Sequence, residues 1–414
     1  MNLHRSLFLA LSAALILIGE AAAQEWTRFR GPNGTGVSEV KGIPVTWTEK
    51  DYRWRVELPG ESHSQPVIWG DKIFMESSAG QGKERMLVCL KKEDGKELWV
   101  KKYPMPTPPP GNKNSGYANS SPVADKDRVI ACFASTEQFL VKAWDHAGKE
   151  IWTVNLGPFK SQHGLGTSPI IYDDRVIVCN DQDGDSFVVA LDVKTGKVIW
   201  KCARKGAEQN TAYGTPCVIQ RKGFGPEILT SSFAHGISSI DEKTGVMLWE
   251  AKIFDKRAVA SPVVVGDLVF GSCGQGDGGS VMGAVRLGGK GDVTASHLAY
   301  KIQGAIPYVP TPVAFGERLY VLADGGFLTC LEPASGRIVW KERIGGKYFA
   351  SPIVVDGRIY CLSVAGEMVV IATGDEFKVL GRSPAGEGSH STPCVDGERI
   401  YVKTFTHLVC LGGK

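Results

Sequence analysis

The stretch Ser168-Pro169-Ile170-Ile171-Tyr172-Asp173-Asp174-Arg175-Val176-Ile177-Val178-Cys179-Asn180-Asp181-Gln182-Asp183-Gly184-Asp185-Ser186-Phe187-Val188-Val189-Ala190-Leu191-Asp192-Val193-Lys194-Thr195-Gly196-Lys197-Val198-Ile199-Trp200 reads as four strands joined by three tight turns. Pro169 opens the first strand, where the missing N–H is not needed. Asp173-Asp174 turns the chain into the β-branched run Arg175 to Cys179. Asp181 to Asp185 turns it again, Phe187 to Leu191 is the third strand, and Asp192 to Gly196 leads into a fourth that carries Trp200. Four antiparallel strands in roughly 40–50 residues is the period of a propeller blade.

The unit recurs along the chain. Prolines preceded by Ser or Thr and followed by apolar residues stand at Pro122, Pro169, Pro216, Pro262, Pro312, Pro352 and Pro393, with a looser version at Gln65-Pro66; the spacings are 56, 47, 47, 46, 50, 40 and 41 residues. A tryptophan after a glycine turn recurs at Trp99, Trp152, Trp200, Trp249 and Trp340, with Tyr300 and Leu380 at the degenerate positions. A blade cannot bury both faces alone, so a large aromatic on its outer strand is expected to cover the joint with the next blade. The last unit stops after three strands, while Tyr52 to Pro59, carrying Trp54, matches a fourth. The expectation is an all-β, eight-bladed propeller of four-stranded antiparallel blades, closed by the N-terminal strand completing the last blade, which hides the exposed edges.

The segment Ala190 to Trp200 resembles the tryptophan-docking repeat of the quinoprotein dehydrogenases, A-x-D-x-x-T-G-x-x-x-W, with weaker copies at Ala143 to Trp152, Ile240 to Trp249 and Cys330 to Trp340. The resemblance covers residues 45–414 and identifies the PQQ-like-repeat propeller superfamily. That superfamily holds pyrroloquinoline-quinone (PQQ) alcohol and glucose dehydrogenases, a non-catalytic scaffold of the outer-membrane β-barrel assembly machine, and secreted proteins known only by their repeats. Trp26 to Gly36 is similar to the leader of this last group. The sequence lacks the adjacent cysteines that many of the enzymes carry over the quinone.

Arg5, the apolar run Leu7 to Ile18 and Ala21-Ala22-Ala23 read as a signal peptide over residues 1–23. A leader over 24–44 and one propeller domain over 45–414 follow. The expected location is periplasmic or secreted, in a bacterial envelope, with no integral membrane segment after cleavage. A net charge of +3 gives no basic excess for nucleic acid. The ten cysteines include no CxxC and fall at repeat positions, which suits buried small apolar sites better than disulfides.

In a propeller the first strand of each blade lines the central channel, so residues just before it stand near the mouth. Three before each proline are His63, Asn119, Gly166, Tyr213, Val259, Val309, Phe349 and His390, with Tyr117, His163, Arg257, Tyr308 and Tyr348 close by. Of these, His63, Asn119, His163, Tyr213, Arg257, Tyr308, Tyr348 and His390 are the candidate ligand-binding residues. Aromatics with a few polar groups suit a small molecule, and His63 and His390 become neighbours on closure, able to share a ligand, an anion or a metal. The plainer reading is that these side chains plug the channel. Asp181, Asp183 and Asp185 are spaced like the start of a calcium loop but lack its distal glutamate, and a plain acidic turn is the favoured reading. Gly274 to Gly279 satisfies G-x-G-x-x-G but has no following helix, so it is a flexible turn and not a dinucleotide site. Pro104 to Gly111 is a proline-rich connector that covers one face, offers a partner site, or merely stiffens the surface.

Three functions follow. The first is a binding or scaffold module of the cell envelope that meets a protein, polysaccharide or small ligand and needs no cofactor. The second is a PQQ- and calcium-dependent dehydrogenase of an alcohol or sugar, its ring His63, His163, Arg257, Tyr308 and His390. The third is a hydrolase or lyase using His63 or His390. Fold alone does not choose among them.

Overall fold

The computed structural model describes residues 26–109, 114–276, 278–302 and 304–413. The signal-peptide reading lies outside them. Each repeat proline opens a short inner strand, and three antiparallel strands follow outward. In the unit quoted above these are Ile170–Tyr172, Arg175–Asn180, Ser186–Asp192 and Val198–Arg204. Eight such sheets form the propeller among the described residues. The single α-helix among them is the short Thr294–His297.

The ring closes as expected. Tyr52–Glu57 pairs antiparallel with His407–Gly412, with Trp54 opposite Cys410, and completes the sheet of Cys394–Asp396 and Arg399–Lys403. Blades are numbered here from the one opened by Pro66, so this shared blade is the eighth.

The repeat letters have physical reasons at the joints. Trp200 Nε1 of blade three donates to the carbonyl of Glu242 in blade four (2.8 Å), while its ring lies over Gly245. Trp152 bonds Val193 O (3.1 Å), and its ring covers Gly196, which sits at φ +72°; a Cβ there would lie 2.7 Å from the ring. The turn glycine is therefore needed for both the left-handed conformation and the space. Trp99 and Trp340 bond His146 O and Gly374 O in the same way, and Tyr300 replaces tryptophan by donating its hydroxyl to Pro333 O. Two tryptophans depart from the rule. Trp249 bonds Glu227 Oε2 within its own blade, because blade five offers the irregular segment Gly291–Asp292 instead of a Thr-Gly turn. Trp54 packs on Gly95 of blade one, but its indole N–H has no partner.

Opposite the tryptophans stand small residues: Cys89, Ala143, Ala190, Cys330 and Cys410. All ten cysteines are free and buried, as thiols filling small core sites should be.

The Ser/Thr before each proline builds a second ring, around the axis. The backbone N–H at each of these positions donates to the hydroxyl of the next blade. The chain runs from Gln65 to Ser121 (2.8 Å), Ser168 (2.9 Å), Thr215 (3.3 Å), Ser261 (3.0 Å), Thr311 (2.9 Å), Ser351 (2.9 Å) and Thr392 (3.0 Å). Gln65 stands where the eighth hydroxyl would be. Its amide instead donates to Pro393 O (2.7 Å) and accepts from Arg30 N (2.6 Å).

Arg30 belongs to the leader, which is built into the propeller. Trp26 and Arg30 are fully buried. Arg30 Nη1 donates to Thr311 O (3.0 Å) and Pro352 O (3.1 Å), and Nη2 to Pro312 O (2.8 Å). Arg28 reaches Pro216 O (2.7 Å), Asn33 exchanges two bonds with Val218, and Ile68 N and Ala124 N donate to Trp26 O and Thr27 O. These partners are the inner strands of blades one, two, four, six and seven, so Trp26–Gly36 stops the axial channel. From there Val37–Ser38 pairs parallel with Ile353–Val355, and the chain crosses blade seven to reach its outer strand, where Trp47 Nε1 donates to Pro384 O (2.8 Å).

The segment Gly274 to Gly279 joins two paired strands, with Asp277 outside the described residues. Strands Leu268–Gln275 and Gly278–Arg286 pair across it, and Gly279 abuts Ile306. In the proline-rich connector, Met105 is fully buried and Thr136 N bonds Thr107 O (2.9 Å), so its described part packs on blade two; residues 110–113 lie outside the description.

Candidate functional site

The stopper leaves the other end of the channel open as a funnel of about 500 Å³, within the range of small-molecule sites. The rule of three before the proline holds at every blade. His63, Asn119, Gly166, Tyr213, Val259, Val309, Phe349 and His390 all line it, and His163, Arg257 and Tyr308 join them. The reason is geometric: the hydroxyl ring fixes the entry of each inner strand, so equivalent positions project at one height.

Tyr348 is a correction. It is fully buried in the core between blades six and seven, packed with Tyr320 and Ile344, and its hydroxyl has no partner. Its backbone N–H bonds Asp324 O (2.9 Å), which turns the ring away from the axis and leaves the next residue, Phe349, in the funnel. The calcium reading is corrected too. Asp181 is buried and paired with Arg204 (2.5 Å), Asp183 accepts from Thr211 (3.0 Å) and Asp185 is exposed, so the three carboxylates do not converge.

Sequence reasoning missed several wall residues. Phe29, from the leader, reaches the funnel between the anchored Arg28 and Arg30. Asn114, Ser115 and Gln162 come from loops between blades, and Gln275 from the end of a blade-five strand. Adjacency to His163 was the one available signal for Gln162.

On one side of the funnel His63 and His390 pack in a tilted pair with ring centroids 4.4 Å apart. Phe349 and Phe405 meet His390 edge-on at 4.8 and 5.0 Å. Burial, helped by the other ring and by Lys403, drives His63 down to about 3. Burial lowers His390 to about 4, against a ring hydrogen bond to the Asn114 backbone that raises it. Both rings are thus neutral near pH 7. Buried Lys403, which donates to Ser62 O and Thr404 O, is itself pushed down to about 7 by desolvation.

On another side Arg257 is 5% exposed and held by neutral acceptors. Nη1 donates to Tyr308 Oη (3.3 Å), and Nη2 to Gln162 Oε1 and Gln209 O (both 2.7 Å). Tyr213, whose hydroxyl meets Ser161 Oγ at 2.8 Å, lies 5.8 Å below its guanidinium. His163 packs near Tyr213, its proton affinity lowered by burial and by Arg257.

Eight four-stranded blades, tryptophan-docked joints and an axial funnel define a PQQ-like-repeat β-propeller. The chain belongs to the family described as outer membrane protein assembly factor BamB, whose model matches residues 115–307 and again 277–411, together well over half of the sequence. The BamB of Moranella endobia is 25% identical over 319 residues, 70% of this chain and 75% of that protein. The tetrathionate hydrolase of Acidithiobacillus ferrooxidans is 21% identical over 303 residues, 66% of this chain but only 53% of the hydrolase. Among solved structures, a europium-containing methanol dehydrogenase superposes with a TM-score of 0.65 at 11% identity, covering 92% of this chain and 90% of that one, which shows the shared fold.

A calcium-bound quinone is the cofactor the superfamily implies. Calcium requires several oxygen ligands, carboxylates foremost. Among the described residues the funnel wall has no Asp or Glu, and no three His, Cys, Asp or Glu side chains group to hold a metal. The described donor set does not fit the pair.

Proposed function

We propose that this chain is a non-catalytic binding or scaffold module of the cell envelope, periplasmic or secreted, exported by residues 1–23 and folded as one propeller with its leader. The observation that carries the reading is the funnel wall itself. His63 and His390 pack on each other and on two phenyl rings, an arrangement that presents neutral faces and not an oriented base. Membership of a family named for outer-membrane protein assembly supports a role with envelope proteins, and the candidate residues His63, Asn119, His163, Tyr213, Arg257, Tyr308 and His390 would then receive a ligand or a partner's side chain. No described helix is long and apolar enough to cross a membrane.

The competing reading is a quinone-dependent dehydrogenase. A thermal-shift titration of the mature chain with PQQ, with and without calcium, separates the two. The binding reading expects no saturable rise in melting temperature and no quinone absorbance in the purified protein. A saturable rise or a co-purified quinone band would establish the dehydrogenase instead.

A further inference from the structure

A buried guanidinium normally faces a carboxylate, because desolvating a cation is costly unless it is paired. Arg257 is buried at the funnel wall, and its hydrogen-bond partners are a phenol, an amide oxygen and a backbone carbonyl. Its Nε–H has no partner, and no salt bridge joins it to a carboxylate among the described residues. Asp183, whose charge acts on His163 and Tyr213, accepts from Thr211 and makes no ion pair with Arg257.

The rest of the described wall carries no Asp, Glu, Lys or second Arg, and its polar groups are set among Phe29, Val259, Val309 and Phe349. Asn119, Gln162 and Gln275 bring amides, and Asn119 Oδ1 is buried without a hydrogen-bond partner. Tyr213 and Tyr308 add aromatic faces. Amides and aromatic rings suit hydroxyl groups and the C–H faces of a hydroxylated frame, and an arginine with no carboxylate partner among the described residues suits one carboxylate. A neutral ligand would leave the cation uncompensated. A polyanion would find no second arginine or lysine on the described wall.

We propose that the funnel binds a small hydroxylated monocarboxylate of the sugar-acid type, its carboxylate on Arg257 and its hydroxyls on the amides of Asn119 and Gln162. The proposal rests on the reading of the chain as a binding module and gives that module a ligand class.

The experiment is isothermal titration of the mature chain with D-galacturonate and, in parallel, with D-galactose, its uncharged twin. A charge-assisted contact predicts that the acid binds at least about tenfold tighter than the neutral sugar. The preference should shrink with added salt. Arg257→Gln should erase it, while Arg257→Lys, which keeps the charge, should retain part of it. If Arg257→Gln lowers the melting temperature enough to confuse the comparison, the contrast on the unmodified chain still decides. Equal binding of the two sugars, or no saturable heat from galacturonate at millimolar concentration, overturns the proposal. Neither result bears on the PQQ titration, which tests the underlying binding reading separately.

Discussion

At the scale of single residues, His63 and His390 carry a testable electrostatic cost. Their proton affinities fall from the ordinary 6.5 to about 3 and about 4, with burial the main cause in each case. Because the unfolded chain binds protons on these rings that the folded chain refuses, stability rises with pH across this window. Their contribution is fully present above about 6.5 and is lost as pH falls toward 4 and then 3. Lys347 and Lys403 bear on the pair and reinforce the effect. Urea denaturation between pH 4 and 7 should show a steep loss for the native chain and a flatter one for a His63→Phe/His390→Phe variant. Equal slopes would mean that the pair titrates as it does in the unfolded chain. The placement of both histidines was readable from the repeat, since each stands three residues before its proline. Tyr348 stands as far before its proline as Tyr308 does before Pro312, and it was misread because spacing does not say which of two adjacent rings faces the axis.

At the scale of elements, the account depends on how each outer strand docks on the next blade. Trp200 is 9% exposed, with its ring over Gly245 and its N–H on Glu242 O. Trp200→Ala should therefore destabilise by about 3–5 kcal/mol in denaturant melts, the usual cost of emptying a buried aromatic site. A loss below about 1 kcal/mol, the scale of a surface substitution, would remove the packing role. This level was the most legible in the sequence, because Trp, Gly and Ser/Thr-Pro each solve a joint problem that recurs from blade to blade. The exceptions were less legible. Trp249 fits the pattern by its letters, yet it turns to Glu227 because its neighbour, blade five, lacks the turn that would accept its N–H.

At the scale of the whole molecule, closure was legible and the stopper was not. Tyr52 to Leu58 declares itself by matching another outer strand. Trp26–Gly36 binds backbone carbonyls far away, such as Pro216 and Pro352, and a carbonyl has no side-chain letter to read. Yet this segment decides what the propeller offers: a channel stopped by its own leader and a funnel with Phe29 in its wall. The direct measurement is amide hydrogen exchange of the mature chain, resolved over residues 26–36. Arg30 N, Gly34 N and Gly36 N are bonded to Gln65 Oε1, Gly31 O and Arg30 O. The account predicts protection of this segment comparable to the inner strands. Exchange as fast as in an unstructured peptide would contradict it, and with it the blind funnel on which the binding reading stands.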